Sequence, residues 1–275
     1  MRDFVQEAFL RLHRARLEGV VVESPKAYLA ALTTRLAIDH LKSARVRRES
    51  YVGPWLPEPV IEEGDSPMAR RTELAESVSM AFMLILEALS PVERAVFLLR
   101  EVFDYSYEEI ADVVEKSADN CRQIFARAKR HIDAGKRRFE ASPAKRDEIA
   151  GRFFAACQGG ELEGLVDLLA ADAAFYGDGG GKAVASRTPL VGRQNVAPFL
   201  MDIFEKSRAA GLRLVRVDVN GQPGAKWVDG QGRIVAVWAL DTVDGRVECI
   251  RSVVNPDKLR HLGPVSDALS RPSGS

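Results

Sequence analysis

Between Ser117 and Arg138 the chain carries seven Lys or Arg residues (Arg122, Arg127, Lys129, Arg130, Lys136, Arg137, Arg138) against two acids, a local net of +5. Helical spacing puts Cys121, Ile124, Phe125, Ala128 and Ile132 on one face and leaves Asn120, Arg122, Gln123, Arg127 and Arg130 mostly outward. Amide and guanidinium groups on the outer face of a helix can pair with base edges in a major groove, and flanking Lys or Arg can neutralise phosphates. The bland alternative is an ordinary helical hairpin with a solvated basic face. Total charge is uninformative, with 39 basic and 39 acidic side chains, but its distribution is not. Residues 1–50 hold ten basic and six acidic groups, whereas residues 139–275 hold seventeen of each. Two basic stretches, 1–50 and 117–138, set before a neutral stretch from 139 onward, point to an anionic partner for the basic stretches.

Other chemistry is sparse. The histidines are His13, His40, His131 and His261, so none lies between residues 132 and 260. Cys121, Cys157 and Cys249 are odd in number and widely spaced, which suggests neither a disulfide framework nor a zinc cage and fits a reducing cytosol. Asp172, Asp178, Asp202 and Asp241 could serve as an acid or base if burial tuned one of them, yet no recognisable partner accompanies them. Asp178-Gly179-Gly180-Gly181-Lys182 departs from a phosphate loop because Ala183 follows the lysine, and by itself it reads as a tight turn. The N-terminal MRDFVQEAFLRLHR mixes charged with apolar residues and is no secretory leader. No run approaches the roughly 18 apolar residues of a membrane span, so no membrane partner is expected.

The elements that must position these groups are largely helical at first. Phe4, Val5, Ala8, Phe9 and Leu12 mark an amphipathic helix up to about Leu17, and Ser24-Pro25 starts a second that runs toward the basic Lys42, Arg45, Arg47 and Arg48. Tyr51-Val-Gly-Pro-Trp-Leu-Pro-Glu-Pro59 has three prolines and a glycine in nine residues and must be an extended linker. Helical spacing returns from Thr72 to Leu89, restarts at Ser90-Pro91, and continues through Ser106–Val114, a short turn at Glu115-Lys116 and a helix from Ser117, a helix-turn-helix pattern. Beyond Ser142-Pro143, helices at 146–157, 161–170 and 193–209 mix with alternating runs at 173–176, 212–219, 225–228, 233–240 and 247–253. Strands broken by Asp229-Gly230 and Asp244-Gly245 predict an α+β domain whose curved sheet wraps its helices. Asn255-Pro256 opens a last helix, with Val254 and Leu259 at hydrophobic-staple spacing.

Residues 1–140 resemble the extracytoplasmic-function sigma factors of RNA polymerase. DFVQEAFLRL looks like the family's clamp-binding helix, SPKAYLAALTTRLAIDHLKSARVRR resembles the part of region two that melts the -10 element, and LSPVERAVFLLREVFDYSYEEIADVVEKSADNCRQIFARAKRHI resembles region four. Trp55-Leu-Pro-Glu-Pro59, Asp178-Gly-Gly-Gly-Lys182 and Asn255-Pro-Asp-Lys-Leu259 together resemble the subgroup with a SnoaL-like domain fused behind region four.

The resemblance implies a multidomain chain: all-α region two at 1–50, a linker at 51–71, an all-α region four with its helix-turn-helix at 72–140, a SnoaL-like curved-sheet α+β domain at 144–264 and a tail at 265–275. It implies core RNA polymerase and promoter DNA as partners, with no cofactor and no enzymatic activity. Asp3, Gln6 and Glu7 would meet the polymerase. Arg35, Lys42, Arg45, Arg47, Arg48, Asn120, Arg122, Gln123, Arg127, Lys129 and Arg130 would meet DNA. A regulatory interface in cis would join Trp55, Leu56, Pro57, Glu58 and Pro59 to Asp178, Gly179, Gly180, Gly181 and Lys182, with Lys182 toward Glu58, and to Asn255, Pro256, Asp257, Lys258 and Leu259. A small-molecule ligand would occupy a pocket lined by Phe175, Tyr176, Trp227 and Trp238. Family members carry a further helix or two before the clamp-binding helix, so region two as written is expected to have a weakened core. The competing readings are a DNA-binding regulator that does not engage polymerase and a SnoaL-type enzyme or ligand sensor fused to a helix-turn-helix.

Overall fold

The computed structural model describes residues 4–22, 24–49, 51–62, 80–136 and 142–270. They form two compact units, one holding the described residues up to 49 and from 85 to 135, the other those from 51 to 84 and from 136 onward. In chain order the helices are α1 (Phe4–Leu17), α2 (Pro25–Glu49), α3 (Met80–Ala88), α4 (Pro91–Glu101), α5 (Tyr107–Val114) and α6 (Ala118–Lys136). Helices α7 (Pro143–Gly159), α8 (Leu162–Leu168), α9 (Arg193–Ala209) and α10 (Pro256–Leu259) follow. Asp3, the stretch 63–79 and the tail 271–275 lie outside the described residues, as do the side chains of Arg45, Arg47 and Arg48.

In the first unit, local rules set the helix starts. Ser90 and Ser106 each accept from the backbone N–H three residues on, while Glu93 and Glu109 reach back to the serine N–H, two complete capping boxes. Helix α5 ends at Glu115 in the left-handed region (φ 57°), and α6 follows after a two-residue turn. Val96, Leu99, Ile110, Val113, Cys121 and Ile124 make the core that fixes the angle of α6. On α1, Ala8 and Leu12 are buried, but Val5 and Phe9, counted with them in the apolar pattern of the sequence, are each more than half exposed. A helix buries only the stripe facing its neighbour, and these two lie at its edge.

The second unit is built on a seven-stranded sheet of order β1-β4-β5-β6-β7-β2-β3, with β1 Ile61–Glu62, β2 Leu169–Asp178, β3 Leu190–Val191, β4 Arg213–Val219, β5 Gln222–Val228, β6 Ile234–Val243 and β7 Arg246–Val253. All neighbours are antiparallel except β2 and β7. Asn220-Gly221 and Asp244-Gly245 both have positive φ, the conformation that lets two residues close a hairpin with the strands' own twist. Register shifts at Trp227/Val228 and Asp241/Thr242 bend the sheet.

Alternation along β6 divides two cores. Ala236, Trp238 and Leu240 join Phe153, Leu165 and Leu200 under helices α7 to α9. Val237 and Ala239 join Val219, Val253, Leu259 and the linker's Leu56 on the opposite face. The second face is thus covered by residues 51–62 and α10, so what reads in sequence as a free linker is part of this unit. Residues 265–270, expected to begin the tail, are also tied down together with Pro264. Ile234 N–H donates to Pro264 O, Ser266 N–H to Ile234 O and Val184 N–H to Leu269 O.

Candidate functional site

The linker is held by a buried carboxylate. Asp178, at the end of β2, is fully buried, and its Oδ1 accepts from Tyr51 Oη at 2.5 Å. Its Oδ2 accepts from the Leu56 backbone N–H at 2.8 Å and from Lys258 Nζ at 2.7 Å. Lys258 Nζ also donates to Leu56 O at 2.5 Å and lies 4.2 Å from the centre of the Trp55 ring and 5.0 Å from that of Tyr51. A buried ion pair is tolerable only when its remaining hydrogen-bonding positions are filled, and here the linker fills them. Burial, then the Asp178 carboxylate, push the Tyr51 hydroxyl above the ordinary tyrosine range, so it stays a donor at neutral pH.

Prolines shape the linker by removing donors. Pro54, Pro57 and Pro59 cannot pair as a strand, so Leu56 N–H turns to Asp178 while the Leu56 and Pro59 carbonyls take Lys258 Nζ and His261 Nε2 (2.8 Å). Pairing begins where the prolines end: Val60 N–H donates to Asn220 Oδ1 at 3.1 Å, and Asn220 N–H to Val60 O at 2.8 Å. The glycine turn makes room. Gly180 has φ +57°, and a Cβ there would sit 2.2 Å from Asn255 Nδ2 and 2.8 Å from Tyr51 Oη. Asn255 caps α10 by accepting from Asp257 N–H, and its Nδ2 donates to Tyr51 Oη at 2.8 Å.

The structure therefore brings Trp55, Leu56, Asp178, Gly180, Asn255 and Lys258 together. Lys182 differs from expectation. It pairs with Asp257, not Glu58, because Asp257 stands in the first turn of α10 beside the glycine turn, whereas Glu58 is exposed. Tyr51, Asn220 and His261 were missed as interface residues. Asn220-Gly221 carried a hairpin signal that places Asn220 at a sheet end, but nothing local reveals what its side chain meets.

On α6, Cys121, Ile124, Ala128 and Ile132 are buried, and Asn120, Arg122, Gln123, Arg127, Lys129 and Arg130 are exposed. Local charge counting overstated the free charge. Arg122 pairs with Asp119 (2.5 Å) and Glu108 (3.2 Å), Arg127 with Glu93 (2.6 Å) and Lys129 with Glu101 (3.4 Å). These exposed pairs are weak enough to exchange for phosphate or base contacts. Arg35 is exposed, and its guanidinium donates to Val113 O (3.1 Å) and Asp112 O (2.8 Å) and pairs with Glu115 (3.3 Å), satisfying carbonyls at the end of α5. Lys42 is exposed and pairs with Asp39 (3.5 Å). Gln6 is exposed, and Glu7 accepts from Arg11 Nε at 2.8 Å.

Residues 79–132 match the family model of sigma-70 region 4. The chain is 33% identical to the ECF RNA polymerase sigma factor SigJ of Mycobacterium tuberculosis (strain ATCC 25618 / H37Rv), covering 99% of this chain and 89% of that protein. The chain belongs to the ECF RNA polymerase sigma factors. This sigma factor is also 31% identical to the probable ECF sigma factor SigI of M. tuberculosis (strain CDC 1551 / Oshkosh), over 94% of this chain and 86% of that one. Its fold superposes on the crystal structure of SigJ with a TM-score of 0.69 and 31% identity, covering 96% and 90% of the two chains. The second unit of the sigma factor is a SnoaL-like curved-sheet domain behind a helical region four.

The aspartates once open to acid or base work are otherwise engaged or placed. Asp178 holds the linker, Asp202 pairs with Lys206 (2.7 Å), Asp241 pairs with Arg251, and Asp172 is exposed. Of the residues expected to line a ligand pocket, Trp227 borders a cavity of about 650 Å3 together with Met201, Phe204, Arg208 and Leu214. Phe175, Trp227 and Trp238 interlock edge to face with Phe199 and Phe204 at centroid distances of 4.8 to 5.9 Å. Tyr176 points to the opposite face because side chains alternate along β2.

Proposed function

We propose that this chain directs RNA polymerase to specific promoters and that the docking of its linker on the SnoaL-like domain regulates that activity in cis. The observation that carries the regulatory part is the Asp178–Lys258 pair, buried and completed by Leu56 of the linker. In this reading residues 1–50 and 72–140 are the promoter-reading parts, 51–71 the linker that spaces them, and 144–264 the regulator. The work is binding and strand separation beside polymerase in the cytoplasm, and catalysis has no part in it. Among the described residues no helix is long and apolar enough to cross a membrane.

The test is a double-mutant cycle in transcription with core polymerase. Trp55→Ala removes the ring under Lys258, and Gly180→Ala drives a Cβ into Asn255. Both act on one contact, so each should shift promoter activity in the same direction and the pair should be non-additive. Strictly additive effects would leave the C-terminal domain a passenger.

Promoter reading is assigned to Asn120, Arg122, Gln123 and Arg127, with Lys129 and Arg130 on phosphates. Each lost base contact should cost about 1 to 3 kcal/mol and relax selectivity at one base position. An Arg122→Ala, Gln123→Ala variant that keeps full promoter selectivity in a binding assay would remove these side chains from the role. Polymerase contact is assigned to Asp3, Gln6 and Glu7. Glu7→Lys should weaken capture of core polymerase without altering α6, and equal capture of both proteins would favour a regulator that works on DNA alone.

A further inference from the structure

Between the docked linker and the sheet face opposite helices α7 to α9 lies a cavity of about 510 Å3, whose walls include Pro54, Trp55, Tyr176, Arg187, Pro189 and Arg251. A volume of this size suits a small organic ligand. Tyr176 and Arg251 are register partners on β2 and β7, so their side chains leave the sheet on one face. Arg251 is neutralised from behind by Asp241, to which one of its nitrogens donates. The guanidinium retains further N–H donors. Arg187, in the loop between β2 and β3, is exposed and has no ion pair among the described residues. Among the described residues no carboxylate lines the cavity. The balance is one uncompensated positive charge and a second guanidinium with spare donors, set between aromatic and proline walls.

We propose that this cavity binds a small aromatic carboxylate, which bridges the linker and the SnoaL-like domain and so stabilises their docked state. The carboxylate accepts from Arg187 and Arg251, and its ring lies against Trp55, Tyr176 and the prolines. One negative charge matches both guanidinium groups, whereas a neutral ring forgoes those charge-assisted bonds and a bare inorganic anion leaves the apolar walls wet. The regulatory consequence rests on the linker-docking reading above, but the binding itself does not. A ligand that contacts the linker only when docked adds its binding free energy to docking.

The experiment is calorimetric titration of the full chain with 1-naphthoate, its neutral amide 1-naphthamide, and inorganic phosphate, in wild type and in Arg187→Gln. Arg187 is exposed and has no ion pair among the described residues, so its replacement should leave the fold intact, while Arg251→Gln would strand Asp241. The expected result is saturable 1-naphthoate binding, weakened roughly tenfold or more in Arg187→Gln by loss of one charge-assisted contact, with no saturation by the other two compounds. Absence of 1-naphthoate binding, equal binding by Arg187→Gln, or equal binding of 1-naphthamide or phosphate would each overturn the site. Protease cleavage of the linker, followed in the same samples without any probe, reports docking separately. A protected linker that binds no 1-naphthoate sinks the ligand site and leaves the regulatory contact standing. A linker cleaved freely without probe counts against the docking itself.

Discussion

Asp178→Ala should release the linker from the C-terminal domain. The substitution removes the acceptor shared by Tyr51 Oη, Leu56 N–H and Lys258 Nζ and leaves a buried ammonium without its counter-charge. Losing one partner of a buried pair costs about 3 to 5 kcal/mol. The sheet core under α7 to α9 is on the other face, so the loss should fall first on docking. Limited proteolysis between residues 51 and 62 of the full chain should therefore accelerate strongly, ahead of any loss of sheet structure in circular dichroism. Asp178→Asn keeps an acceptor but not the charge and should fall between the two. A cleavage rate matching wild type for Asp178→Ala would show that this network does not hold the linker.

The second large effect is expected from Leu56→Ala. Leu56 is 2% exposed, wedged among Val219, Val237, Val253 and Leu259, and its truncation leaves every polar contact of its backbone in place. Large-to-small changes in such a site cost about 2 to 5 kcal/mol, the spread reflecting how far the surroundings collapse. Linker cleavage should rise as in Asp178→Ala, and transcription should change in the same direction. Because both act on one docking equilibrium, the double variant should show less than the sum. A Leu56→Ala protein with normal cleavage but altered transcription would separate the apolar anchor from docking and require another route to the polymerase.

Local chemistry made most of the elements legible. Ser90 with Glu93, Ser106 with Glu109, Ser142 before Pro143 and Asn255 before Pro256 start helices through bonds spanning two or three residues, so the sequence holds both donor and acceptor side by side. Strand alternation located the curved sheet for the same reason. One non-local fact was also written in the sequence and passed over. Ile234–Leu240 is a continuous apolar run, which an antiparallel strand with one wet face does not need. It announced that something besides the helices covers β6.

What covers it, and through which contacts, only the tertiary structure decided. Tyr51 meets Asp178 across 127 positions, and Leu56 meets Lys258 across 202. Lys182 chose Asp257 over Glu58, Arg127 found Glu93 on a preceding helix, and Arg35 turned to the carbonyls ending α5. A charged side chain takes whichever opposite group the packed backbone brings within a few ångströms, since Coulomb attraction is strong only at short range or where water is excluded. Residue type and spacing along the chain determine which groups are available to pair. Which of them do so is settled by the burial of apolar faces, which places the backbones first and leaves the charges to find partners among their new neighbours.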